Sequence, residues 1–406
     1  IGGAAVTLIS AAVTLVLLPA LLVLLAPRLG KVRPAAEGSG RWYALALAVM
    51  RRRGLVALCT IGLLLGIALP GAGINWIGVD ASSLPTSASA RIVSDVAAAD
   101  FPHANLTPIV AVATARPSAS QQLDTYAGRL RGLSGISSVS NPRYLRSDTW
   151  QLTASAHGAP DSQAAQTLVG RVRAEPSSFP VVVGGTAAAL YDQHHAVAAT
   201  LPVALAMLFV LTVAALWLMT GSIVLPVLAL LMNLLTALSA AGIVAFVFQG
   251  GHLASLLGAS KQAGIEQTDF LVLIAIVFGI STDYGVFLFN RIKEARDRGL
   301  PHGPAIAHGV QRTGSIVTAA ALLLAVALGA FMTSKLVFLK ELGVGAVAAV
   351  LIDAFAVRAL IVPALMRLLG DALWWSPAAL RRLSERLRIR EAVPPAREPA
   401  TSAGHP

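Results

Sequence analysis

Cysteine is almost missing from this sequence: Cys59 is the only one among 406 residues, and it sits inside an apolar run. No internal disulfide can form, and Cys59 reads as a small buried hydrophobe. Charge is scarce as well, at 13% of residues against 56% hydrophobic. Soluble domains carry about a quarter charged residues, so a surface this poor in charge is expected to face something other than water. Acidic residues are the scarcer sign, 20 against 31 basic. The excess does not signal nucleic acid, because no groove-reading motif accompanies it and the basic residues gather beside the ends of apolar segments. No Walker-type phosphate loop, H-E-x-x-H or G-x-S-x-G element is present, which argues against direct ATP use and hydrolysis. No cofactor or metal is expected; His194-His195 lacks a surrounding ligand cluster.

What the chain does have is long apolar runs. Seven are long enough to span a bilayer, at about 3–25, 54–74, 197–219, 222–248, 269–291, 314–333 and 341–368; a spanning helix needs roughly 20 such residues. Mean hydropathy is +0.72. The chain opens on Ile1 with no charged leader or small-residue cleavage pattern, and the expectation is that it begins partway through a larger protein. The fold class expected is a polytopic α-helical membrane protein of about seven transmembrane helices.

Basic loops set orientation. Arg28, Lys31, Arg33, Arg41 and Arg51 to Arg53 place a linker at 31–53 in the cytoplasm. Alternation then puts the 291–313 loop and a basic tail at 370–406 on the same side, the end of that tail being disordered. The insertion at about 76–195 falls outside. Its alternating strands and amphipathic helices run β-α-β-β-α-β from Leu106 to Val183, a ferredoxin-like unit. A helix from about Ala187 is expected to carry this extracytoplasmic α/β domain directly into the five-helix bundle at 196–369. Gly62 and Gly66 offer a possible close helix contact. Pro19-Ala20-Leu21 in the first span matches Pro363-Ala364-Leu365 in the last, suggesting duplicated halves.

The chemistry concentrates in Phe270 to Arg291, FLVLIAIVFGISTDYGVFLFNR. Asp283 lies eight residues, or ~12 Å of helix rise, from Arg291 at the end of the span. An aspartate at a helix centre costs about 2.5–3.5 kcal/mol on insertion scales, so such residues face the bundle interior and serve a function. Binding a proton relieves the charge, and the Tyr284 hydroxyl can donate to a neighbouring carboxylate. The competing reading is a structural aspartate paired with a buried base. Asp353 and Arg358 are the other intramembrane charges. Five residues make about 500° of α-helix rotation, so each is expected to pair elsewhere in the bundle, in a structural or coupling role. Lys335, Lys340 and Glu341 are expected at the outer boundary, snorkelling to water.

Gly279, Asp283-Tyr284, Phe287-Leu288, Arg291 and Glu294 resemble the G-x-x-x-D-Y-x-x-F-L-x-x-R-x-x-E signature of the mycobacterial-membrane-protein-large (MMPL) family, within the resistance–nodulation–division (RND) superfamily. Leu84-Pro85-Thr86 through Asp100-Phe101-Pro102 resembles the start of that family's porter domain, and Val183-Gly184-Gly185-Thr186 its end. Leu257-Gly258, Gly264-Ile265, Asp353, Arg358 and Pro363-Ala364-Leu365 fit the same pattern. Ser281, Thr282 and Lys293 depart from it.

The resemblance implies an exporter in the cell membrane, not an enzyme. It would couple inward proton flow to outward movement of lipids or other hydrophobic molecules, with Asp283 and Tyr284 as proton relay. It also implies a partner, the first half of the same transporter with its own Asp-Tyr pair, so this chain alone is expected not to transport. A non-transporting membrane scaffold or a lipid-sensing subunit is the alternative.

Overall fold

The computed structural model describes residues 2–25, 27, 40–79, 81–100, 106–157, 160, 162–378 and 380. They fall into two units, Ile1–Arg41 and Trp42–Pro406. The first holds α1 (Gly2–Leu25), apolar on every side. Its 24 residues rise ~36 Å, enough to cross a hydrocarbon core of about 30 Å.

From Trp42 the second unit is helical, not a loop, within α2 (Arg41–Arg51). This corrects the linker expected over 31–53, of which residues 31–39 lie outside the described residues. Ala46, Val49 and Met50 are buried at three- and four-residue spacing, the pattern of a helix laid on a surface by one apolar stripe. α3 (Arg53–Ala68) then runs through a 3₁₀ turn, Leu69–Gly73, to the short strand β1 (Trp76–Ile77) and to α4 (Ser89–Asp100).

A five-stranded sheet follows. It is built from β2 (Leu106–Thr114), β3 (Ile136–Val139), β4 (Arg143–Arg146), β5 (Thr149–His157) and β6 (Val181–Gly184), with α5 (Ser120–Arg131) and α6 (Gln163–Ala174) interleaved. The order is β6-β2-β5-β3, with β4 also on β5 and every neighbour antiparallel. Strand alternation explains the packing. Thr107, Ile109, Ala111 and Ala113 on β2 all point inward, where Leu123, Tyr126 and Leu130 of α5 and Leu168 and Val172 of α6 cover them. β4 was not anticipated from sequence; it is exposed along its length and carries no alternation to read.

β6 ends at Gly185, whose φ is +107°. A Cβ there would stand 2.7 Å from the Pro108 carbonyl oxygen, so only glycine lets the chain turn so close to β2. From that turn α7 (Thr186–Thr220) runs unbroken for 35 residues, ~52 Å. Its first turns pack on the sheet through Ala187 and Ala188; the rest is apolar enough to span. Arg173 of α6 pairs with Asp192 of α7 and also donates to the Val183 carbonyl at 3.0 Å.

The remaining spans are α8 (Val224–Val244), ending in a π-helical turn at Ala245–Gln249, α9 (Gln267–Asp297), α10 (His302–Gly329), α11 (Val337–Leu351) and α12 (Val362–Leu369). A π-helical segment, Ile352–Ile361, joins α11 to α12. The strand β7 (Ile265–Glu266) pairs in parallel with β1, tying the start of α9 to the end of α3. α8 is the enclosed one, 72% of its apolar window being buried, with α3, α7, α9 and α11 around it.

Seven helices long and apolar enough to cross a membrane occur among the described residues, on the seven segments expected. The close helix approach is made by Gly242 on α8, where a Cβ would lie 2.8 Å from Ala68 Cα. A Cβ at Gly62 or Gly66 would meet nothing within 4 Å, so among the described residues the close contact is not theirs. The expected tail at 370–406 also begins later than 370. Residues Gly370–Trp374 form a 3₁₀ turn whose Leu373 is fully buried and accepts the Ser222 hydroxyl. Residues 381–406, with most of that tail, lie outside the described residues.

Candidate functional site

α9 carries its buried residues on one stripe: Leu273, Val277, Ser281, Gly285, Leu288, Ile292 and Ala295. Ser281 is on that stripe, and Asp283, two residues or ~200° further round, points the opposite way. Asp283 is exposed on the bundle surface and has no hydrogen-bond or ion-pair partner among the described residues. This corrects the expectation that it faces the interior of this bundle. Tyr284 is half-buried, its ring centroid 5.4 Å from the Arg358 guanidinium carbon. Gly285 leaves the space that Arg358 uses; a Cβ at that position would lie 3.6 Å from Nη1.

Behind Asp283, on the buried side of α9, is a polar cluster. Arg358 Nε donates to Asp353 Oδ2 at 2.6 Å, and Nη2 donates to the Ser281 carbonyl. Both side chains are more than nine-tenths buried. The expectation that each pairs elsewhere is therefore wrong, and the π segment is the reason. Five residues is one hydrogen-bonded turn of a π-helix, so residues 353 and 358 stack on one face where an α-helix would separate them. Pro363 follows at the second position of α12, where a missing N–H eases the return to α-helical pairing.

Ser281 Oγ lies 2.6 Å from both Asp353 Oδ1 and Asn233 Oδ1. Asn233 Nδ2 donates to Thr282 Oγ1 at 3.0 Å. A hydroxyl has one proton, so Ser281 serves one of its two acceptors at a time. A proton on Asp353 completes the set, as does reversal of the Asn233 amide. The cluster thus accommodates one proton more or less by reorienting two groups. Asn233 was missed in the sequence, although a single amide in the middle of the 222–248 apolar run was a signal. Small cavities flank the ion pair: about 20 Å³ beside Arg358, walled by Trp42, Thr313 and Thr318, and about 10 Å³ beside Asp353, walled by Thr236, Ile280 and Ser281.

The rest of the signature lies at the far end of α9. Arg291 pairs with Glu294 at 2.8 Å and sits over the Phe287 ring, 5.5 Å from its centroid; Glu294 also pairs with Arg298. Lys293 is buried and donates to the Met219 carbonyl at 2.8 Å, holding the C-terminal end of α7, where a cation complements the helix dipole. Gly279, earlier on α9, is on the open face, where an added Cβ would meet nothing within 4 Å among the described residues. Lys340 and Glu341 do not snorkel as expected. Both are buried, and Lys340 Nζ donates to the carbonyls of Leu257 and Gly258. In the sheet unit a cavity of about 300 Å³ is lined by Tyr126, Arg173, Glu175 and three consecutive valines, 181–183. Burial, reinforced by Glu175 nearby, raises the Tyr126 hydroxyl above its ordinary pKa.

Apolar helices around buried ionisable groups define a multi-pass membrane protein. The MMPL family profile matches residues 82–401, and the chain belongs to that family. It is 39% identical over 370 residues to a putative membrane protein of Streptomyces coelicolor, covering 90% of this chain and 51% of that one. Against the trehalose monomycolate exporter MmpL3 of Mycobacterium tuberculosis it is 33% identical over 402 residues, covering 94% of this chain and 42% of that one. Against the heme uptake protein MmpL11 of the same species it is 29% identical over 363 residues, at 86% and 37% coverage. The chain spans about half the length of the relatives it matches, or less.

Proposed function

We propose that this chain is the C-terminal half of a secondary transporter that uses the proton-motive force to export lipids or other hydrophobic molecules. The observation that carries the reading is the placement of Asp283. An ionisable carboxyl halfway along a spanning helix, on the outer face of the bundle, is costly against lipid, so a second polar membrane surface covers it. The first half of the same transporter is that surface. Asp283 and Tyr284 form the proton relay at the junction. Arg358 lies against Tyr284 and binds both Asp353 and the backbone of the relay helix, so a change of charge at the junction is felt by the buried cluster.

The sheet unit at 76–195 is the extracytoplasmic porter-type domain, ferredoxin-like in its strand order, with the basic loops on the cytoplasmic side. Of the mycobacterial relatives, one is named a trehalose monomycolate exporter and the other a heme uptake protein, which supports a hydrophobic substrate.

The test is Asp283→Asn in the natural protein, expressed in a host lacking its own exporter. Asn keeps shape and hydrogen bonding but releases no proton near neutral pH. Membrane abundance stays at the parental level and proton-driven export stops; Tyr284→Phe, which removes one hydroxyl, slows export less. Export by Asp283→Asn at the parental rate removes the proton-carrier assignment and leaves a structural aspartate in a scaffold.

A further inference from the structure

Two carboxyl side chains at the sheet-side end of the bundle have no place in the relay. Asp269 is in the first turn of α9 and Glu341 in the first turns of α11, and both line a cavity of about 10 Å³ walled by Val244, Ile265 and Leu273. Glu341 is 96% buried, at 4% exposure. Its Oε2 has no hydrogen-bond partner among the described residues, and neither has the buried Oδ2 of Asp269. The cavity is on the scale of a single water.

Among the described residues, every charged group that faces this pair is acidic. Glu266, on β7, caps α9 by accepting the Asp269 backbone N–H at 2.6 Å. The wall from α8 contributes only Val244. Lys340 is next in sequence, but its ammonium is taken by the carbonyls of Leu257 and Gly258. An ionised Glu341, enclosed without a cation beside a half-buried, ionised Asp269, is costly. One proton neutralises one of them and supplies the donor that both orphan oxygens lack.

The pair is in register with the buried cluster. Asp269 precedes Ser281 on α9 by twelve residues, and Glu341 precedes Asp353 by the same number, ~18 Å along both helices. Between them, on the same seam, is the cavity that touches Ser281 and Asp353. We propose that Glu341 and Asp269 form a second proton-binding site, the loading station that takes a proton from the sheet-side solution and passes it along the α9–α11 seam to Asp353. Loading neutralises one carboxylate; transfer returns it to the ionised form and leaves the proton on Asp353. The passage to Asp353 rests on the proton-coupled reading above, whereas the site itself does not.

The experiment uses the natural protein reconstituted in liposomes. Infrared difference spectra taken across a pH titration report the carbonyl stretch of a protonated carboxyl, and proton-driven export is followed in the same preparation. Glu341→Gln and Asp269→Asn each abolish the titrating band, keep the parental melting temperature and lose export most severely at alkaline pH. Glu341→Asp retains a shifted band, which keeps the test valid if a glutamine variant fails to fold. A band unchanged in both amide variants, or parental export by Glu341→Gln at every pH, overturns the proposal. A band that requires sodium also overturns it, in favour of a cation site. Asp283→Asn separates the two readings: it stops export while leaving the Glu341 band in place, and parental export by that variant refutes the relay without touching the site.

Discussion

Replacing Arg358 by methionine removes a buried cation while nearly preserving the length of the side chain. Three contacts go with it: the 2.6 Å bond to Asp353, the bond to the Ser281 carbonyl, and the packing against Tyr284. The dominant effect is on what remains. Asp353 is 98% buried, at 2% exposure, and it would keep only the shared Ser281 hydroxyl. Breaking a buried pair from one side costs about 3–5 kcal/mol. The lower figure applies here, because a chain unfolded within the bilayer finds other polar partners. Arg358→Met should therefore lose about 3 kcal/mol. Asp353→Asn combined with Arg358→Met leaves no uncompensated charge and should recover most of that loss, since neutral replacement of a buried pair is often tolerated. The measurement is a double-mutant cycle on reversible unfolding of the purified protein in mixed micelles. Parental stability in Arg358→Met, or a double variant as unstable as the single one, would refute the claim that these two charges hold each other.

Two more outcomes follow from the fold. With Cys59, which is exposed and not buried as expected, replaced by serine, cysteines introduced at Ser120 and Arg298, both exposed, should react with an impermeant thiol reagent from opposite sides, Ser120 from outside; labelling of both from one side refutes the orientation. Gly242→Val should lower stability by about 1–3 kcal/mol through overpacking against Ile67 and Ala68. Gly62→Ala should change it by no more than about 0.5 kcal/mol; equal effects in a melting assay would show that α3 and α8 do not meet at Gly242.

The spans were legible because apolar run length is a direct physical requirement of the bilayer, and so was the strand-helix order around the Ile109 strand, a short continuous apolar run. Arg41–Arg51 was read as linker because its flanking arginines masked an amphipathic stripe only three turns long. The Asp353–Arg358 pair was illegible for a sharper reason. A period of 3.6 residues was applied to a segment that is π-helical, and nothing in IDAFAVRALI announces the change. The outward aspect of Asp283 was readable in principle, being fixed by its two-residue offset from Ser281 once the buried stripe of α9 is known. Burial of Glu341 depends on β7 and α8 closing over it, a tertiary event that the local sequence does not encode.

α7 makes the sheet unit and the membrane bundle parts of one rigid rod, with a single weak joint. Pro202 lies inside it, without an N–H for the carbonyl four residues earlier. Sixteen residues, ~24 Å, precede Pro202 and eighteen, ~27 Å, follow it. The proline therefore divides the rod into two lever arms of nearly equal length. A tilt of about 5° in the membrane arm swings the free end of a stiff rod of ~52 Å by roughly 4–5 Å. The same tilt absorbed at Pro202 leaves the sheet end where it was. The compliance of that one joint sets how much motion in the bundle reaches the sheet as displacement and how much is lost as bending.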